Sequence, residues 1–396
     1  MLSISKLLCG GTAPGDNLRY GKQCQVPRAQ ATSAEPRPIV VWNCTRKCNL
    51  HCIHCYSNAN ASASFDELST EDAITFIRDL ADFGVPVLLF SGGEPLLRED
   101  IFELANFARE QGIRTVLSTN GTLISDKIAE KIKGAGFAEV GISIDGIGAK
   151  NDSFRGQKGA YRAALNGIRN CIALRQRVSL RLTITRHTSL EIPAIFDLVE
   201  QEGVERVCFY HLAYVGRASD LKKIDLSHSE TRKVIDLICD RTLDLYQRGL
   251  HKEILTVDNH ADAIYLYLKL KECHPIRAQQ ALVLLQANGG NNSGIRIGAV
   301  DELGNVHADQ FWRHYSFGNV RQRKFGDIWV DTSDPIMRGL KNRKGLLKGR
   351  CARCQYLNLC NGNLRVRAEA VYGDVWAEDP ACYLTDTEIG LTKNDR

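Results

Sequence analysis

The 396-residue chain reads as an α/β protein: a partial, open (β/α)6 barrel with a cysteine-rich carboxyl-terminal extension. Three observations carry that reading. Short apolar runs alternate with amphipathic helical segments at intervals of about thirty residues, the rhythm of parallel strands joined by crossover helices. The runs are nearly all apolar, as expected for strands covered on both faces. Six such units are present, too few to close an eight-fold barrel.

The units follow in order. Strands are expected over 39–43, 85–90, 114–118, 140–144, 178–185 and 206–210. Ser69-Thr70-Glu71-Asp72 opens the first helix with a polar cap and acids in its first turn. Ala73, Ile74, Ile77, Leu80 and Ala81 then keep helical spacing, and Gly84 stops it. Further helices are expected over 101–112, 125–133, 161–174, 192–199, 227–246 and 261–270. The chain divides into an irregular arm at 1–37, the barrel at 38–250, connecting helices and a loop at 251–300, and the extension at 301–396. Within the connector, the polar stretch Asn288 to Gly294 is expected to be a lid or hinge. The chain is 44% hydrophobic and 24% charged, which suits a soluble enzyme. It has no apolar run of membrane-spanning length and no signal-peptide core at residues 1–8, so it is expected in the cytoplasm and off the membrane. The net charge of +5 is spread along the chain, which speaks against nucleic acid as a partner.

Fourteen cysteines cluster rather than spread. Cys48-x3-Cys52-x2-Cys55 follows the first strand directly. Three thiolates on an iron–sulfur cube leave one iron open to a small chelating molecule. A zinc knuckle completed by His51 or His54 is the other reading of the same stretch. Cys44 reads as the end of the first strand, and Cys171, Cys208 and Cys239 as small core residues. Cys351-x2-Cys354-x5-Cys360 with Cys382 supplies four thiols, enough to fill either a zinc site or a second cluster.

The strand ends carry the remaining polar residues: Ser91-Gly92-Gly93-Glu94-Pro95, Ser118-Thr119-Asn120-Gly121, Ser143-Ile144-Asp145-Gly146, and Tyr210-His211 before Gly216-Arg217. Each alone could be a turn. Chemistry in such barrels gathers at the carboxyl ends of the strands, and these residues recur on that rim.

Over about residues 38–250 these motifs resemble the radical SAM enzymes. The resemblance implies that Cys48, Cys52 and Cys55 hold a [4Fe–4S] cluster whose open iron binds S-adenosylmethionine. It implies that Gly92, Gly93 and Glu94 hold the methionine amino group, with the Glu94 carboxylate as acceptor. Ser143 would contact the SAM carboxylate or ribose, and Asn120 and Asp145 would complete the cofactor site. The last four cysteines resemble a SPASM-type extension, which implies a second, auxiliary [4Fe–4S] cluster. Gly15 to Gly21, Val257 to Asp262, Asp309 to Tyr315, Cys360 to Asn363 and Arg365-Val366-Arg367 extend the resemblance to the tetrapyrrole-modifying radical SAM enzymes along nearly the whole chain. Ala308 departs from it, standing where proline is expected before Asp309.

That resemblance implies an iron tetrapyrrole substrate, didecarboxysiroheme, losing two acetate side chains in siroheme-dependent haem biosynthesis. A one-electron donor such as ferredoxin or flavodoxin would reduce the cluster, and a 5′-deoxyadenosyl radical would attack the macrocycle. The sister branch, in haem d1 synthesis, removes propionates. A peptide-modifying SPASM maturase is a further alternative, for which 1–37 looks too short to be a peptide-binding module. A flat polycarboxylate needs an apolar slot with a cationic rim. Arg217, Arg296, Arg313, Arg365 and Arg367 are candidates for the rim, with His260 beside them. His211, His260, His307 and His314 are candidates for iron ligation or proton transfer, with His211 and His314 the candidate catalytic groups.

Overall fold

The computed structural model describes residues 1–21, 37–62 and 65–392. One ten-stranded sheet organises them. Its strands are β1 (Leu2–Ser3), β2 (Ile39–Asn43), β3 (Val87–Ser91), β4 (Arg114–Thr119), β5 (Val140–Ser143), β6 (Val178–Ile184), β7 (Arg206–His211), β8 (Glu253–Val257), β9 (Ile297–Val300) and β10 (Val306–His307). Their order is β1-β8-β7-β6-β5-β4-β3-β2-β9-β10. From β2 to β8 each strand pairs in parallel with its successor, as successive crossover connections require. β9 adds in parallel beside β2, and β1 and β10 close the two edges antiparallel.

The six expected units are all present, and the helices between them form where the apolar spacing placed them. The first, Thr70–Phe83, starts with a reciprocal Ser69–Asp72 capping box and ends at Gly84, whose φ of 85° suits a residue without a Cβ. Apolar residues on these helices and on one face of the strands make one continuous core, in which Val40, Leu88, Leu117, Val140, Leu180, Val207 and Ile254 are buried; the other face carries Val41, Leu89, Arg181 and Tyr210, which line a cavity.

Three expectations need correction. The arm is not irregular over its described part. β1 pairs with β8, the helix Ile4–Cys9 caps at Ser3, and the Ser3 amide donates to the Tyr20 hydroxyl at 2.9 Å. The remainder of that arm, 22–36 with Cys24, lies outside the described residues. The connector supplies two strands as well as helices: β8 extends the sheet past β7, and β9 extends it past β2. Residues 288–294 are not a lid. Asn288, Asn291 and Ser293 are buried, Arg343 donates to the Asn291 side chain and the Ser293 carbonyl, and the Asn291 amide donates to Cys360 O. A segment bonded on every side is a fixed wall. The helix Ala149–Arg155, after β5, was not anticipated.

Candidate active site

The loop after β2 brings Cys48, Cys52 and Cys55 into one small buried group with Leu50, Ala59 and Ala160. Backbone holds the loop in place. The Gly93 and Glu94 amides donate to the Thr45 and Lys47 carbonyls at 2.7 and 2.8 Å, and the Arg217 amide donates to Cys55 O. This approach requires glycine. A Cβ on Gly93 would lie 2.2 Å from Lys47 O, and one on Gly216 would lie 2.4 Å from Cys55 O. Burial pushes the Cys48 thiol up to about 12 and raises Cys52 as well. Thiols so placed keep their protons unless a metal replaces them, which is the donor chemistry an iron–sulfur cluster uses. His51 is exposed, and His54 stacks on Phe154 with Nε2 3.6 Å from Asp145. Neither joins the thiols, and among the described residues no group of His, Cys, Asp or Glu side chains is drawn together for a single metal ion.

Beside the thiols opens a cavity of about 600 Å³ that runs through the sheet's concave side. That is room for a ligand well above the size of a single amino acid. Gly92, Gly93, Asn120, Ser143 and Arg217 line it near the thiols, and His211, Asp258 and His260 line its far wall with Arg296. Asn120 is locked by Asn49 and Thr122, and its amide nitrogen stands 4.0 Å from Cys48 Sγ. Burial lowers His260 well below an ordinary histidine, so its ring is neutral, and its Nδ1 has no partner. Burial, reinforced by Asp309, raises the Asp258 carboxyl to about 7.

Several candidate residues stand elsewhere. The Glu94 carboxylate points inward: it is fully buried and accepts from the Thr119 hydroxyl and the Asn120 and Leu96 amides. It shapes the rim rather than facing the cavity. Asp145 pairs with Arg155 and accepts from the Thr183 amide, again beneath the surface. Arg313 is bound by Glu302, and His314 is a half-exposed partner of Glu369; neither lines the cavity. His307 is buried between Asp301 and the Tyr315 carbonyl. Arg365 is spent on the Gly362, Val375 and Ala377 carbonyls, and Arg367 on Asp379. Arg217 reaches the cavity but holds the cysteine loop, donating to the Cys52 and Ala59 carbonyls at 2.8 Å each.

Three residues were missed. Arg155 donates to Cys52 Sγ across 3.7 Å. Arg181, a single charge inside the apolar strand β6, turns into the cavity against Ser118, in space that Gly141 leaves open. A lone arginine in an otherwise apolar strand was the signal for it. Asp262 stands behind His211, at 2.9 Å from its Nε2.

Cys351, Cys354, Cys360 and Cys382 line a second, small cavity with Asn363 and Asp379. Burial raises Cys382 to about 12 and also raises Cys351, Cys354 and Cys360. Gly290 passes so close that a Cβ there would lie 2.3 Å from the Cys360 backbone, which ties this region to the wall of the main cavity.

This is the architecture of a radical SAM protein: a parallel strand array with a three-cysteine loop on its first core strand and a Gly-Gly-Glu rim on the next. Residues 42–199 match the model of the Radical SAM superfamily, and the chain belongs to it; it is an enzyme whose family works with S-adenosylmethionine and a [4Fe–4S] cluster. The chain is 55% identical to Fe-coproporphyrin III synthase of Methanosarcina barkeri, over 98% of this chain and 99% of that protein. It is 44% identical to pre-heme d1 synthase of Dinoroseobacter shibae, over 90% and 88%. Among solved structures, SuiB of Streptococcus suis bound to S-adenosylmethionine superposes with a TM-score of 0.69 over 88% of this chain and 78% of that one, at 18% identity, a likeness of fold. Among the described residues no helix is long and apolar enough to cross a membrane.

Proposed function

We propose that this enzyme removes two acetate side chains from didecarboxysiroheme to give Fe-coproporphyrin III, acting in the cytoplasm. The observation that carries this reading is similarity along the full length of both chains to a protein named for Fe-coproporphyrin III synthesis. Cys48, Cys52 and Cys55 hold the radical cluster. Gly92, Gly93, Asn120 and Ser143 seat S-adenosylmethionine beside it. Bound together and reduced by a ferredoxin- or flavodoxin-like donor, cluster and S-adenosylmethionine supply a 5′-deoxyadenosyl radical. The cavity orients the macrocycle and keeps water from the reacting carbon. Arg181, Arg217 and Arg296 give its wall the positive charge that propionate and acetate groups need. Cys351, Cys354, Cys360 and Cys382 hold an auxiliary [4Fe–4S] cluster, supported by four raised thiols around one cavity.

The test is product mass after anaerobic incubation of the reconstituted enzyme with didecarboxysiroheme, S-adenosylmethionine and a strong reductant. Two successive losses of acetate are expected. Losses of propionate would move the enzyme to the haem d1 branch, the reading favoured by its second relative. 5′-Deoxyadenosine without any change in the macrocycle would remove tetrapyrroles from consideration. For the auxiliary site, the wild type should carry about eight irons, four per cube. Cys351→Ala/Cys354→Ala should carry about half; zinc found there after iron-rich anaerobic expression would overturn the second cluster.

A further inference from the structure

Two histidines line the far wall of the cavity, and they differ in what stands behind them. His211 ends β7 with its Nε2 turned away from the cavity, 2.9 Å from Asp262 Oδ2. Asp262 is fully buried in the first turn of the helix Ala261–Cys273, and its other oxygen accepts from the Tyr383 hydroxyl at 2.9 Å. A carboxylate held on both oxygens takes the Nε2 proton of the ring, which leaves the lone pair on Nδ1, the nitrogen on the cavity side. A buried carboxylate behind one ring nitrogen, with the other turned to an open space, is the arrangement by which proteins orient metal-binding histidines and raise their basicity. His260 has no carboxylate at hydrogen-bond distance; its contact is the Asn363 side chain.

We propose that His211 Nδ1 is the axial ligand of the substrate's own iron, with Asp262 as the positioning residue that sets the ring and Tyr383 as the group that sets Asp262. The inference rests on the reading of the substrate as an iron tetrapyrrole. Coordination places a nitrogen lone pair on one axial position of the iron; no other bond forms or breaks, and the oxidation state is unchanged. The ligand fixes the centre of the macrocycle against β7. Which side chain lies toward the cysteine loop is then set by rotation about the iron–nitrogen bond, so reaching a second acetate on a different pyrrole requires the macrocycle to turn about that bond or to leave and rebind.

The experiment uses the full chain with its clusters reconstituted and oxidised, and ferric coproporphyrin III as the probe, read by visible absorption and electron paramagnetic resonance. The wild type should give the spectrum of an imidazole-ligated ferric porphyrin. His211→Ala should lose it and recover it on addition of free imidazole, while probe and protein still co-elute on gel filtration, which shows that the variant's cavity is intact. Asp262→Asn should keep the imidazole signature with affinity weakened about 10–100-fold. His260→Ala should keep the signature. An unchanged spectrum in His211→Ala, or its loss in His260→Ala alone, overturns the assignment. Probe bound to the wild type without an imidazole signature also overturns the ligand, while the proposed substrate stands. Failure of the wild type to bind the probe at all would overturn both.

Discussion

Cys44 and Cys48 stand four positions apart, yet the two thiols have different surroundings. Cys44 is fully buried and donates to the Ser91 carbonyl at 3.3 Å, whereas Cys48 faces the cavity. Cys48→Ala, Cys52→Ala and Cys55→Ala should each abolish S-adenosylmethionine cleavage, because two thiolates do not hold a cube. Cys44→Ala should leave iron content and cleavage largely intact. Full cleavage by Cys52→Ala would remove the loop from the cluster. Asp258 gives a prediction in pH. Its carboxyl is raised to about 7 in the folded protein, above the ordinary carboxyl value, so the folded state binds more protons there than the unfolded state does. That contribution to stability is fully present below about pH 4 and is lost as pH rises through about 7. Asp258→Asn should therefore melt above the wild type at pH 8 and approach it at pH 4; a pH-independent difference in melting temperature would contradict the shift. Sequence located the metal-binding cysteines because their spacing is itself the signal. It did not say which way Glu94 and Asp145 point, since both stand where a rim residue should and only tertiary packing turns them inward.

Glycine governs the elements around the cysteine loop. Gly93 lets the β3 rim lie against Lys47, and no side chain fits there. Gly93→Ala should displace the cysteine loop and lower reconstituted iron to about the content of the auxiliary cube alone, about four atoms. Iron counting with circular dichroism separates this from global unfolding, and full iron content would show that the loop adapts. The barrel's strands and helices were legible because each is a run with its own period and its own stop signal. β8 and β9 were not. β9 is a strand of four residues whose partner, β2, stands near the other end of the chain, so local pattern carries little of the information, and β8 follows directly on the last unit of the expected barrel. β1 has two residues, too few for any periodicity.

At the scale of the molecule, one arginine fastens the carboxyl-terminal extension to the barrel. Arg367 and Asp379 are both 0% exposed, and the same guanidinium donates to the Leu212 and Asp258 carbonyls at the ends of β7 and β8. Removing one partner of such a pair leaves an uncompensated buried charge. Arg367→Met should cost about 3–5 kcal/mol, read as a lowered denaturation midpoint. A wild-type midpoint would mean the pair contributes little to docking. The sequence offered Arg367 as a rim cation because a basic residue beside a polycarboxylate substrate is the simplest reading. Its true partner is twelve residues along the chain and visible only once the extension has folded.

β1 pairs Leu2 with Thr256 and Ser3 with Leu255. A ribosome adds about 5–20 residues per second, so roughly 250 residues of synthesis take about 12–50 s. Through that interval β8 does not yet exist. Leu2, Ile4 and Leu7, all buried in the finished protein, wait meanwhile for that partner, and residues made before most of the sheet are among the last to find their place.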